Sequence, residues 1–119
     1  MSTFVNIDQT RAQAALNANS VKKQGDEGQG DEGDSLSGYP SLIINNGLIA
    51  CIAFSVNKEK QHRRIADAIA KHLNAQAIIT STDARSLRDA LCQCDSFTLR
   101  RATDEALAFL SYLKRFHRS

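Results

Sequence analysis

The sequence predicts an all-α protein, a single-domain bundle of about five helices. Three observations predict it. A length of 119 residues suits one domain. Four segments carry helical spacing or helical composition. Convincing strand alternation is almost absent. The composition, 42% hydrophobic and 24% charged, is that of a folded globular chain rather than a disordered one.

The first element is Asp8–Lys23. It is rich in Ala and Gln, has an acid near its start and ends on Lys22 and Lys23, which suits the helix dipole. Ala12, Ala15, Leu16 and Asn19 share one face, so its apolar stripe is weak.

Residues 24–38 read QGDEGQGDEGDSLSG and hold five of the six glycines. Asp26, Glu27, Asp31, Glu32 and Asp34 have no base among them, and Leu36 is the one large apolar residue. Glycine entropy and carboxylate repulsion predict an acidic Gly-rich flexible loop at 24–38 within the single domain 1–119. The near-repeat GDEG-Q-GDEG is local low complexity.

Pro40 then opens LIINNGLIACIAFSV, which supports two readings. β-Branched residues around Asn46-Gly47 are a hairpin signal. A run apolar on every face also suits a helix buried in a bundle, with Pro40 near its first turn and Gly47 at a close contact. Periodicity does not separate them.

The later elements are plainer. In Glu59–Asn74, Ile65, Ala66, Ile69 and Leu73 form a stripe opposite Lys60, Arg64, Asp67 and Lys71. Residues 77–82, AIITST, suit a short strand or a loop. Asp83 is placed to N-cap Ala84–Cys94, with Leu87, Ala90, Leu91 and Cys94 on one face. Asp95 or Ser96 starts a last helix to about His117. There Leu99, Ala102, Ala106, Phe109, Leu113 and Phe116 recur every three or four residues.

Several chemistries lack their residues. Leu42–Val56, broken by Asn45, Asn46 and Gly47, is shorter than the ~20 residues that span a bilayer. The start, MSTFVNIDQT, has neither the basic nor the apolar region of a secretory signal. Three cysteines without a secretory context are expected as free thiols in the cytoplasm. Gly28, Gly30 and Gly33 match GxGxxG but lack the strand before and the helix after that a dinucleotide needs. The EF-hand order of acids is absent. Cys92 and Cys94 could join His62, His72 or His117 around zinc, yet two residues apart on one helix they point apart. They are expected as packed or half-exposed thiols, Cys51 as core, and the histidines as surface or helix-end groups. No nucleophile–base–orienter set is recognisable, so no enzyme activity, metal or cofactor is expected.

The basic residues remain. The net charge is +2, but setting residues 24–38 aside leaves 15 basic and 8 acidic side chains, a body at +7. Lys58, Lys60, Arg63 and Arg64 cluster at the start of one helix. Arg100 and Arg101 lie on the last helix, with Lys114, Arg115 and Arg118 further down it. One reading is a solvated face with the i,i+4 pairs Arg63–Asp67, Arg100–Asp104 and Arg101–Glu105, each worth ~0.3 kcal/mol. The other is a phosphate-binding surface with salt-sensitive attraction to nucleic acid. With five Phe, two Tyr and no Trp, stacking on bases would be a minor term beside backbone contacts. Composition leaves both readings open.

Three blocks resemble the small subunit of the Cmr-type (type III-B) CRISPR effector complex, which is RNA-guided and targets RNA. DQTRAQAA is similar to the family's opening helix. YPSLIINNGLIACIAFSVNK is similar to its middle block, an Asn-Gly-Leu followed by an apolar Ala-Phe segment and Lys. LCQCDSFTLRRATDEALAFLSYLKRF is similar to its closing pattern, Arg-x-x-Thr-x-Glu-Ala-Leu and then Leu-Lys-Arg-Phe. The blocks cover roughly half the chain. The acidic insert and Tyr112, where many members carry Trp, depart from the pattern.

The resemblance implies an all-α fold with Leu42–Val56 as a buried helix containing Gly47. It implies a non-catalytic subunit in antiviral defence that stacks into a short filament beside the backbone and large subunits. Its basic surface would face the guide RNA–target RNA duplex. RNA-binding candidates are then Lys58, Lys60, Arg63, Arg64, Arg100, Arg101, Lys114 and Arg115. The family pattern supports Lys58, Arg100, Lys114 and Arg115; the others rest on charge. Asp104 and Glu105 would hold Arg100 and Arg101 through helix pairs. The rivals are a helix-turn-helix-type DNA-binding module using Ala84–Cys94 and the Ser96 helix or the Lys60 helix, and a protein–protein adaptor without nucleic-acid contact.

Overall fold

Six helices and no strand make up residues 9–17, 30–58 and 61–117, which the computed structural model describes. They are α1 (residues 9–17), α2 (Gly30–Asn46), α3 (Leu48–Val56), α4 (Gln61–Ala75), α5 (Ala84–Gln93) and α6 (Ser96–His117). The all-α, single-domain expectation holds, with one helix more than about five. No described helix is long and apolar enough to cross a membrane.

The extra helix is the main correction. Residues 30–38, expected as part of the flexible loop 24–38, begin α2, while residues 24–29 lie outside the described residues. Leu36, Tyr39 and Ile43 explain it. They recur at helical spacing and are all buried, so tertiary burial overrides the low helix propensity of the glycines. Pro40, expected to open the next element, sits inside α2. It removes the bond its N–H would donate to the Leu36 carbonyl.

Gly47 separates two helices, which replaces both the hairpin and the single buried helix through Gly47. Its N–H closes α2 on the Ile43 carbonyl at 2.8 Å, and its own carbonyl accepts from Cys51 N–H at 3.1 Å. One residue thus ends one helix and caps the next. Its φ of 91° and ψ of 155° demand glycine, although a Cβ there would meet nothing within 4 Å. The Asn-Gly pair does mark a turn, but the turn joins helices.

α3 is apolar on every side and buries Leu48, Cys51, Ile52, Ser55 and Val56. Ser55 Oγ donates to the Cys51 carbonyl at 2.9 Å, so the Tyr39 hydroxyl donates to Ser55 Oγ at 2.5 Å. This bond pins α2 to α3. Burial, with the nearby Cys51, pushes the Tyr39 hydroxyl far above its usual range.

α4 buries the predicted Ile65, Ala66, Ile69 and Leu73, with Ala70 and His72 beside them. Residues 77–82 form no strand. Ala77 at φ 60° ends α4: its N–H donates to the Asn74 carbonyl, and Ile78 N–H to that of Leu73. This is a Schellman end with alanine where glycine is usual.

α5 starts as predicted. Asp83 accepts from Ser86 N–H at 2.9 Å, and Ser86 Oγ accepts from Asp83 N–H at 3.1 Å, a reciprocal cap. α6 starts with Asp95 accepting from Thr98 N–H at 2.7 Å. Ala102, Ala106, Phe109 and Leu113 are buried as predicted; Leu99 and Phe116 pack half-buried at the edge of the core.

Candidate nucleic-acid interface

The eight candidate basic residues fall into two groups. The first lies at the α3–α4 junction. Lys58 is exposed, with Nζ 4.9 Å from the centroid of the Phe54 ring. Lys60 lies outside the described residues. Arg63 is half-buried and structural: it donates to the Val56 carbonyl at 3.3 Å, and its Nε lies 3.5 Å from Asp67 Oδ1. Asp67 also accepts from Ala84 N–H at 2.7 Å, so this expected pair links α3, α4 and the start of α5. Arg64 is half-buried on α4.

The second group lies along α6. Arg100 and Arg101 are exposed, and neither has a carboxylate partner among the described residues. The expected pairs Arg100–Asp104 and Arg101–Glu105 are not formed. Arg115 is exposed and Lys114 half-buried. At 100° per residue, Arg100, Asp104, Ser111 and Arg115 follow one outer stripe, and Arg100 to Arg115 spans ~22 Å along the axis. The opposite stripe holds Ala102, Ala106, Phe109 and Leu113 in the core. The helix therefore turns both guanidiniums to solvent because its other face is anchored.

Glu105 departs furthest from expectation. It accepts two bonds from Arg11, from Nε at 2.6 Å and from an Nη at 2.8 Å, instead of pairing with Arg101. His72, expected at the surface or rim, is buried, and its Nε2 lies 2.8 Å from Glu105 Oε2. Its ring stacks on Phe109 at 4.6 Å. A carboxylate accepts, so Nε2 carries the proton. Nδ1 is buried without a partner among the described residues. Burial pushes the Glu105 carboxyl up, but the bonds from Arg11 and His72 outweigh that and hold it below the usual range. The triad ties α1 to α4 and α6. Its signal lies in the spacing, since His72 comes seven residues after Ile65 and Glu105 sits among Ala102, Ala106 and Phe109.

Cys51 is buried and Cys94 half-buried as expected, whereas Cys92, expected packed or half-exposed, is exposed. Among the described residues no three His, Cys, Asp or Glu side chains gather as a metal site. Arg85, exposed on α5, and Lys71, exposed on α4, are further cations that the sequence reading does not single out as binding residues.

The profile of the family described as CRISPR-associated protein (Cas_Cmr5) matches residues 7–119. The crystal structure of a CRISPR-associated Cmr5 family protein from Thermus thermophilus matches with a TM-score of 0.80, at 26% identity and over 96% of each chain. A comparison with curated proteins gives no match.

Proposed function

The chain belongs to the Cmr5 family of CRISPR-associated proteins and is a subunit of a Cmr-type, type III-B complex, and on that premise we propose that it binds the guide RNA–target RNA duplex without taking part in catalysis. One observation carries this reading: Arg100 and Arg101, unpaired among the described residues, stand exposed on the outer face of an anchored helix. Arg115 continues the same stripe. The Arg100 and Arg101 guanidiniums, with no carboxylate partner among the described residues, are available to a phosphate.

Such contacts read the backbone and not the base. That suits a subunit serving any guide, because base pairing carries the specificity. Lys58 and Lys114 would add to the surface, with Lys60, Arg64 and Arg115 as further candidates. Arg63 serves the α3–α4–α5 junction first. Backbone and large subunits are the proposed protein partners, and copies of the chain would stack into a short filament in the cytoplasm as part of antiviral defence.

The test is crosslinking of the assembled complex loaded with guide and target RNA, followed by mapping of the crosslinked peptides. Crosslinks within Ser96–Arg101 support the reading. Their absence, with crosslinks confined to other subunits, favours a protein adaptor. Protection of duplex DNA at a defined spacing favours the helix-turn-helix reading.

A further inference from the structure

Four large apolar side chains among the described residues stand in solvent: Leu16, Ile44, Phe54 and Phe97. Phe54 is distinguished by its surroundings. The Lys58 ammonium sits 4.9 Å from its ring centroid. The His62 ring meets it at 89° with centroids 5.5 Å apart. Tyr39 backs His62, its centroid 6.0 Å away, and the Tyr39 hydroxyl is fixed on Ser55. The ring is thus braced edge-to-face by His62, which Tyr39 links to the core, while Phe54 remains 44% exposed.

The cation at this ring is Lys58, just before α4, and the first turn of α4 has no acid. The nearest carboxylate on α4, Asp67, is occupied by Arg63 and by Ala84 N–H. Burial, and then the Lys58 charge, push His62 below its usual range.

We propose that Phe54, Lys58 and His62 form a stacking site for one unpaired nucleotide of an RNA strand. This rests on the RNA-binding reading above and adds a base contact where that reading needs phosphates alone. In the free protein the Lys58 ammonium covers the Phe54 ring. A base takes that place, and the ammonium, on its flexible four-carbon stem, swings to the adjoining phosphate. The exchange is favourable because an exposed cation–π contact is weak, while base stacking and a charge-assisted phosphate bond are each stronger. Every base has a π-face, so the site tolerates any sequence. An apolar side chain of a partner protein could also cover Phe54, but the Lys58 ammonium on the ring favours the nucleotide.

The test titrates the full-length protein with two probes: a short single-stranded oligoadenylate and inorganic polyphosphate, which has charge but no base. Phe54→Leu should lower oligoadenylate affinity about five- to tenfold and leave polyphosphate binding unchanged. Phe54→Tyr should bind as the wild type does. A 2-aminopurine placed in the strand should be quenched by the wild type and the Tyr variant, but not by the Leu variant. Wild-type oligoadenylate affinity in Phe54→Leu overturns the stacking site and leaves the phosphate reading standing. Equal losses on both probes also overturn it. So does a Leu variant that binds RNA normally yet fails to join the complex, because Phe54 then meets a protein. A wild type that binds neither probe overturns the stacking site, while the phosphate reading stands or falls on the crosslinks of the assembled complex.

Discussion

His72 Nε2 donates to Glu105 Oε2 at 2.8 Å across the α4–α6 interface, with both side chains withdrawn from solvent. Arg11 closes the pair from α1 through two further bonds to the same carboxylate. Removing the carboxylate strands a guanidinium and a buried ring N–H together. Glu105→Ala should therefore cost about 3 kcal/mol, read as a fall in the denaturant midpoint. Arg11→Ala should cost less, about 1–2 kcal/mol, because its side chain is partly solvated and His72 still serves the carboxylate.

The same carboxylate sets an acid limit. Its folded pKa lies below the ordinary value, so it stabilises the fold fully above the unfolded value of ~4.3, and the contribution is lost as pH falls through the folded value. Asp83 and Asp95 shift the same way, held down by the backbone N–H groups of Ser86 and Thr98. The melting temperature should drop as pH is lowered past ~4.3. In Glu105→Gln the drop should be shallower, from a lower starting point. An unchanged acid limb in that variant would remove Glu105 from the account.

The corner at Gly47 makes a local prediction. A Cβ fits in the space but not with φ 91°, so Gly47→Ala should destabilise by about 1–3 kcal/mol without altering the helix content of the folded state. Circular dichroism and a denaturant titration together check both parts.

Ala77 predicts the reverse. It holds φ 60° at the position where helices usually end on glycine. Ala77→Gly should stabilise the protein by about 0.5–1 kcal/mol, the relief of left-handed strain exceeding the added entropy of the unfolded chain. A calorimetric scan that shows no gain would mean the turn tolerates alanine without strain.

These sites also mark how far the sequence can be read. α4, α5 and α6 follow from spacing and caps, because Ile65, Ile69, Leu87, Leu91, Ala102 and Phe109 repeat with the helix. α2 is hidden because local chemistry and burial disagree there. Glycines and carboxylates dominate residues 30–38, yet Leu36 and Tyr39 are what the core takes up. The one-residue break at Gly47 is invisible to periodicity in a run apolar on every face. At the candidate interface, charge singles out Arg100 and Arg101 but does not reveal that they lack a carboxylate partner among the described residues. Glu105 stands four residues from Arg101 and is expected to hold it; the long-range partners Arg11 and His72 take it instead. An i,i+4 rule sees only neighbours on one helix, whereas a buried carboxylate is claimed by whatever cation the fold brings to it.

The split of charge frames the central claim. A net +2 conceals a body at +7, and two of its cations stand on α6 unpaired among the described residues. The most direct measurement is target-RNA affinity of the assembled complex against salt concentration, for Arg100→Ala/Arg101→Ala and wild type, with several unrelated guides. The account predicts weaker binding by the same factor for every guide, and a salt slope shallower by about 1–2 for each copy of the chain on the RNA. An unchanged slope, or a loss confined to particular target sequences, would contradict it.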